Sequence, residues 1–210
     1  MASPTYFTPH GGHPPQEQLL TDRAMFTEAY AVIPAGTLRD IVTSFLPGWD
    51  GMRMWVIARP LSGFAETFSQ YIVELQPGGG SDTPETDALA QGVVFVTEGN
   101  MSLTLEGTEH ALEAGSYAYL PAGCQWSVRN TGTGTASFHW VRKHWQSAPG
   151  IAKPEAFVTH ESKVEPIVMP DTEGRWSTTR FADPADLRHD MHVNIVNFEP
   201  GGDIPFCETH

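Results

Sequence analysis

The chain has 210 residues, with 25 acidic against 12 basic side chains and a formal net charge of −13 at pH 7. That balance argues against nucleic acid or an anionic membrane as a partner, because both require surfaces rich in lysine and arginine. No apolar run approaches the roughly 18 residues of a membrane span, so the expected location is the cytoplasm. The two cysteines, Cys124 and Cys207, show no CxxC spacing and are expected to be free thiols.

Residues 1–60 are predicted to form an N-terminal arm followed by strands that pack on the rest of the protein. Up to residue 20 the chain is polar and rich in proline, glycine and glutamine, which favours an extended arm. β-Branched and aromatic residues between proline and glycine then indicate short strands. These strands are predicted at Tyr30–Ile33, Leu38–Leu46 and Met54–Ala58.

Residues 61–145 are predicted to form one complete β-barrel. Short apolar runs recur at regular spacing, which is typical of a sandwich or barrel with closed edges. Gly99-Asn100 and Glu106-Gly107 are the turn candidates between them. The six predicted strands are Gln70–Leu75, Val93–Val96, Ser102–Leu105, Ser116–Leu120, Gln125–Arg129 and Ala136–Val141.

Residues 146–210 are predicted to hold a linker and then the first part of a second unit. The reason is an internal repeat, in which Ile195–Gly202 echoes Ile72–Gly79. A spacing of about 120 residues exceeds the roughly 20–50 residues of solenoid repeats and indicates a duplicated domain. The strands expected here are Val164–Met169, Trp176–Phe181 and Met191–Phe198.

The second copy of the repeat leads into Glu208 and His210. On a β-strand, residues two apart point to the same side, so a carboxylate oxygen and an imidazole nitrogen would share one face. That combination suggests the beginning of a metal site. Cys207 would point to the opposite side. His189 and His192 form a weaker rival pair, for which surface or core positions are expected instead of a ligand face.

The stretch Gly115–Asn130 resembles the second of the two short motifs of the cupin family, G-x5-P-x-G-x2-H-x3-N. Every fixed position matches except the histidine, which is replaced by Trp126. The large indole is expected to fill the barrel rather than to bind a ligand.

The first cupin motif, G-x5-H-x-H-x3-E-x6-G, fits by spacing alone. Gly80 and Gly99 stand at its two glycine positions, whereas none of the three ligand positions holds a metal-binding side chain. Those three positions are occupied by Thr86, Ala88 and Gly92. By this resemblance, the first barrel is a cupin without metal ligands.

Over almost its whole length the chain resembles the (S)-ureidoglycine aminohydrolases, a family of two-cupin enzymes of purine and allantoin breakdown. The N-terminal stretches Leu19–Ala24, Tyr30–Pro34 and Leu46–Trp49 carry that resemblance beside the Glu-x-His motif. It implies an all-β bicupin fold of two jelly-roll barrels. It also implies conversion of (S)-ureidoglycine to (S)-ureidoglycolate and ammonia, a small-molecule substrate and a homo-oligomer.

In that family the second cupin carries Mn(II), so the resemblance makes Glu208 and His210 metal ligands. The family's other two ligands, a second histidine four residues further and a glutamine, would fall beyond residue 210. We therefore expect a chain truncated within an incomplete second barrel, with impaired activity. The sequence assigns no catalytic residue.

Two other classes of function remain open. One is a different metal-dependent cupin enzyme, such as a dioxygenase or an isomerase. The other is a non-catalytic bicupin that binds a small ligand, as a first barrel without ligands already suggests.

Overall fold

The computed structural model describes residues 24–26, 31–34, 44–59 and 67–205. The predicted arm up to residue 20, most of the predicted strand Leu38–Leu46 and the motif residues after 205 lie outside these ranges. Within the described ranges there is no α-helix, and no helix there is long and apolar enough to cross a membrane. The all-β prediction is confirmed.

The strands form one nine-stranded sheet and two small sheets. A two-stranded pair, β1 and β2, precedes the large sheet, which contains β3 to β11, and a three-stranded sheet of β12 to β14 follows it. The strands are β1 Met25–Phe26, β2 Ala31–Val32, β3 Asp50–Ala58, β4 Phe68–Ser81, β5 Ala90–Glu98, β6 Met101–Leu105, β7 Thr108–Leu112, β8 Ser116–Leu120, β9 Trp126–Asn130, β10 Ala136–His144, β11 Phe157–His160, β12 Ile167–Val168, β13 Trp176–Arg180 and β14 Asn194–Phe198.

Strand β4 joins the two halves of the large sheet. Its first part pairs with β10 on one edge and with β3 on the other, whereas its last two residues pair with β9. One half of the sheet therefore runs β11-β8-β5-β10-β4, and the other continues from β4 through β9 and β6 to β7. All pairings are antiparallel, as expected for a jelly roll.

Alternation along the strands builds the core between the two halves. On β6, for example, Met101, Leu103 and Leu105 are buried while Ser102 and Thr104 are half-buried. The same period of two puts Phe138 of β10 at 0% exposure, in one cluster with the β6 residues. Apolar residues from both halves thus meet inside the barrel and stabilise it by hydrophobic burial.

The turn between β6 and β7 is the tight hairpin that the sequence predicts. Glu106 and Gly107 both have positive φ, at 48° and 80°, and Leu105 pairs with Thr108. Positive φ at both central residues is what a type I′ turn requires. Gly99-Asn100 does not form a hairpin, because β5 and β6 do not pair with each other. This turn connects the two halves of the large sheet.

Three strands were not predicted: the two-residue β1, β7 and β11. β7 is only five residues long and carries charged and polar side chains, so its alternation is weak. β11 lies between the predicted linker, His144–Pro154, and the predicted strand Val164–Met169, and it pairs with β8 through Phe157↔Tyr119. The predicted division of the chain at residues 60 and 145 stays a prediction, although β3 and β11 from outside 61–145 both join the large sheet.

The three-stranded sheet repeats the geometry of β3 and β4. Trp176 pairs with Phe198 at one end of β13, as Met52 pairs with Leu75 in the first copy. The Pro-Gly-Gly turn after each copy has a positive φ at its first glycine, 75° at Gly78 and 80° at Gly201. The sequence repeat is therefore also a repeat of strand pairing and turn geometry.

The second glycine of each turn is in close contact with the neighbouring strand. A Cβ on Gly79 would lie 2.8 Å from the carbonyl oxygen of Gly51, and one on Gly202 would lie 2.8 Å from the carbonyl oxygen of Arg175. Neither site has room for a side chain. Local backbone packing thus explains why both copies have glycine here.

Gly80, the first glycine of the first motif, is the most constrained position of the barrel. Its φ is +151°, and a Cβ there would lie 1.9 Å from the carbonyl oxygen of Val128. We expect Gly80→Ala to lower the free energy of unfolding by about 3 kcal/mol or more, because β4 and β9 must separate to admit the methyl group. Urea denaturation followed by tryptophan fluorescence measures this change.

The matched control is Gly134→Ala, since that glycine has open space around it and no positive φ. It should change stability by less than about 1 kcal/mol. Equal effects of the two substitutions would contradict the close approach of β4 and β9.

Candidate functional site

The four positions that hold metal ligands in a cupin surround one cavity of the first barrel. The cavity has a volume of about 190 Å³, and Thr86, Ala88, Gly92 and Trp126 all line it. Thr86 and Ala88 lie in the loop before β5, Gly92 is on β5 and Trp126 begins β9. The motif spacing read from the sequence therefore identified residues that the fold brings together.

The chemistry of these positions does not suit a metal ion. They offer a single hydroxyl, and the described part of the chain holds no cluster of three or more histidine, cysteine, aspartate or glutamate side chains placed to bind a metal. A Cβ on Gly92 would lie 3.0 Å from Nε1 of Trp140, so the indole of Trp140 fills the space that a ligand at this position would need.

Trp126 fills the barrel as predicted. It is 7% exposed and belongs to the main core cluster, and its ring meets Trp140 edge-on at 5.8 Å between centroids. Trp49 also contacts Trp140, with 5.9 Å between ring centroids and a tilt of 40°. Such aromatic contacts stabilise beyond the area they bury. The indoles thus take the central place that a metal and its ligands would otherwise hold.

Two carboxylates that the sequence analysis missed stand beside this cavity, each already paired. Glu85 accepts hydrogen bonds from Nε and Nη2 of Arg142, at 2.6 Å and 2.9 Å. Asp87 lies 2.6 Å from Nε2 of His144. The backbone N–H of Leu89 and then His144 hold the pKa of Asp87 below its ordinary value. Glu85 and Asp87 are therefore already paired with Arg142 and His144.

The internal repeat of the sequence could have identified these two carboxylates. The turn geometry aligns Gly79 with Gly202, an offset of 123 residues, and this offset places Glu85-Thr86-Asp87 opposite Glu208-Thr209-His210. The motif spacing instead aligns Gly80 with Gly202, one residue away. The repeat therefore continues past the turn, with Asp87 in the first copy where the second has His210.

Glu208 and His210, the predicted metal ligands, lie outside the described residues, as does Cys207. The structure describes the approach to them as far as residue 205. β14 ends at Phe198, the chain turns at Gly201 and Gly202, and the segment then continues toward the motif. Their assignment as ligands stays a prediction.

The rival pair, His189 and His192, does not form a ligand face. Their ring centroids are 6.1 Å apart, and the two side chains lie in different environments. His189 is 7% exposed and packs edge-on against Tyr119, whereas His192 is exposed. That these two histidines hold ordinary core or surface positions stays a prediction.

Cys124 lines the first-barrel cavity and is half-buried. Burial, followed by the charge of Glu106, raises the pKa of its thiol to about 11. In a Cys207→Ser variant we expect iodoacetamide to alkylate Cys124 roughly a hundredfold more slowly at pH 8 than in the urea-unfolded chain, because only the thiolate reacts. The rate should keep rising from pH 9 to pH 10, where an ordinary thiol begins to level off. Mass spectrometry follows the reaction, and a plateau near pH 9 would contradict the raised pKa.

The comparisons with known proteins agree with this architecture. The sequence profile of the Cupin domain family matches residues 71–142. A crystal structure from Pseudomonas aeruginosa, of a protein named as glyoxylate induced, is 67% identical to the chain with a TM-score of 0.84. That similarity covers 98% of this chain and 74% of the Pseudomonas one.

The curated relatives carry one common name. The (S)-ureidoglycine aminohydrolase of Escherichia coli (strain K12) is 24% identical over 204 residues, which cover 93% of this chain and 72% of that protein. The enzyme of the same name from Arabidopsis thaliana is 25% identical over 189 residues, covering 90% of this chain and 59% of the plant protein. With its barrel, its motif positions and the repeated strands of a second unit, the chain belongs to the cupin family as a relative of the (S)-ureidoglycine aminohydrolases.

Proposed function

We propose that this protein is a manganese-dependent aminohydrolase that converts (S)-ureidoglycine to (S)-ureidoglycolate and ammonia. The observation that carries the proposal is the second copy of the β-strand and Pro-Gly-Gly turn, which leads to Glu208 and His210. Two relatives with this activity in their names support it, because the similarity extends over nine-tenths of the chain rather than over one barrel.

The proposal assigns the chemistry to the second unit. In the first barrel the motif positions offer one hydroxyl and one packed indole, and the nearby acids Glu85 and Asp87 are already paired. In the second unit Glu208 supplies a carboxylate oxygen and His210 an imidazole nitrogen. Mixed oxygen and nitrogen donors suit Mn²⁺, although two ligands alone do not complete a site.

The reaction requires correct positioning of the substrate and the water more than it requires activation of the leaving amine. The substrate carbon carries both an amine and a ureido nitrogen, so electrons from the ureido nitrogen help the amine to leave. The C–N bond to the amine breaks, a C–O bond to water forms, and the water proton leaves with ammonia. When bound, the divalent ion orients the substrate and polarises its oxygen atoms, which favours one stereoisomer. Glu208 and His210 would hold that ion.

The name of the Pseudomonas protein is compatible with this chemistry. Ureidoglycolate is the adduct of urea and glyoxylate, so the glyoxylate in the name of that protein and the product proposed here share a two-carbon skeleton. We also expect a cytoplasmic homo-oligomer with a small-molecule substrate. The excess of acidic residues favours neither nucleic acid nor an anionic membrane as partner.

The test compares the product of the complete reading frame with its Glu208→Ala variant. We expect the unaltered protein to be purified with bound manganese and to release ammonia from ureidoglycine. In the variant, manganese content and ammonia release should both fall more than about a hundredfold, since even indirect partners of metal ligands are worth 10- to 100-fold. Elemental analysis and a coupled ammonia assay provide the two measurements.

The control is Asp203→Ala, which removes an exposed carboxylate from the same approach segment. It should retain both metal and activity. Undiminished ammonia release in Glu208→Ala would refute the ligand assignment. Bound metal without ammonia release in the unaltered protein would instead favour another metal-dependent cupin enzyme, such as a dioxygenase or an isomerase.

A further inference from the structure

The segment between β13 and β14, residues 181–193, lies on the outer face of the first barrel. We call it the connector segment. Phe181 stacks on Tyr117 with 4.1 Å between ring centroids and an interplanar angle of 11°. Met191 and Val193 pack on the same cluster, which is centred on Val93, Tyr117 and Tyr119. The outward side of β5 and β8 is thereby covered by the second unit.

One carboxylate anchors the connector segment to the barrel. Asp190 forms a salt bridge with Nζ of Lys143 at 3.1 Å and accepts a hydrogen bond from the backbone N–H of Gln146 at 2.9 Å. It also accepts a hydrogen bond from the side chain of Gln91, whose own oxygen accepts one from Tyr119. These bonds join the connector segment to β5, β8 and β10.

His189, the neighbour of this anchor, is buried in an aromatic environment. Its side chain is 7% exposed, and its ring lies edge-on to Tyr119 at 4.7 Å and to Phe157 at 6.2 Å. Its Nδ1 is buried and has no hydrogen-bond partner among the described residues. A neutral ring suits this position, whereas a charged ring would lose hydration without compensation.

The carboxylates near His189 already form salt bridges with other side chains. Asp186, whose carboxylate lies 3.9 Å from Nε2 of His189, receives hydrogen bonds from Nε and Nη2 of Arg188 at 2.7–3.0 Å. Asp190 is held by Lys143. The remaining charged or titratable groups facing the ring are Tyr119 of β8 and the exposed His192. Both acids near His189 thus already have a cationic partner, so neither is a dedicated counterion for a proton on its ring.

We propose that the connector segment is a pH-sensitive latch, in which protonation of His189 releases residues 181–193 from the outer face of the first barrel. The barrel itself stays folded, because its core lies on the other side of β5 and β8. The latch connects the second unit to the first, since the connector segment leads directly into β14.

The direction of the pH effect follows from the burial of His189. Burial lowers its pKa from the ordinary value, and Asp186 opposes that effect. A histidine with a lowered pKa binds its proton more tightly when the segment is released. The docked state is therefore favoured above the ordinary pKa of about 6.5, and docking is lost as the pH falls from there through the lowered pKa.

Hydrogen exchange followed by mass spectrometry tests the latch. After correction for the intrinsic rate, protection of the peptide covering residues 181–193 should fall between pH 7 and pH 5. The expected loss is roughly tenfold for each unit by which the pKa is lowered. The β6–β7 hairpin, on the far half of the barrel, should show no parallel loss. In His189→Phe, which keeps the ring and cannot titrate, the pH dependence should disappear.

The matched control is His192→Gln, which removes the exposed histidine three residues away and should keep the pH dependence. His189→Gln serves the same purpose as His189→Phe if the latter does not fold. The same loss of protection in a variant without His189, or none in the unaltered protein, would overturn the proposal. Loss in the hairpin parallel to that in residues 181–193 would also overturn it, because it would indicate unfolding of the whole barrel.

Discussion

The close crossing of β4 over β9 at Gly80 is the constraint on which the barrel depends. One long strand belongs to both halves of the sheet only because its backbone can bend after residue 75 and pass within contact of Val128. Asn130, the last fixed residue of the second motif, supports the bend, because its amide donates to the carbonyl oxygens of Leu75 and Gly134 at 2.8 Å. Buried polar groups are satisfied there, and the barrel closes without an open edge at this point.

The same backbone requirement recurs in the second unit. Gly202 is as close to the backbone of Arg175 as Gly79 is to that of Gly51, and the turn before it has the same positive φ. Trp176, which is buried, and Phe198, which is exposed, stack across β13 and β14 with 6.0 Å between their ring centroids. A strand pair and a tight turn are therefore specified together in both copies of the repeat.

The sequence allowed much of this fold to be predicted, and the reasons are local. Alternating apolar residues bounded by glycine or proline located the core strands, and Glu106-Gly107 located a hairpin from its own backbone preference. Which strands pair with each other could not be predicted in this way. β11 forms because it pairs with β8, where Phe157 lies opposite Tyr119. The turn at Gly99 joins β5 and β6, which are not neighbours in the sheet. The cavity followed from motif spacing, but the ion pair of Glu85 with Arg142 joins a loop to β10 across 57 residues of sequence.

Fold and chemistry rest on different residues of the same motifs. The glycines and Asn130 serve backbone geometry, and the first barrel keeps them without any metal ligand because bending β4 needs them whatever occupies the centre. The ligand positions face a cavity, where Trp126 can replace an imidazole once other aromatic rings pack around it. A motif that matches at its glycines therefore predicts the barrel, whereas chemistry must be argued from the side chains inside it. By that criterion the first barrel is a scaffold. Tyr117 and Tyr119 on its outer face bind the connector segment and so support the second unit.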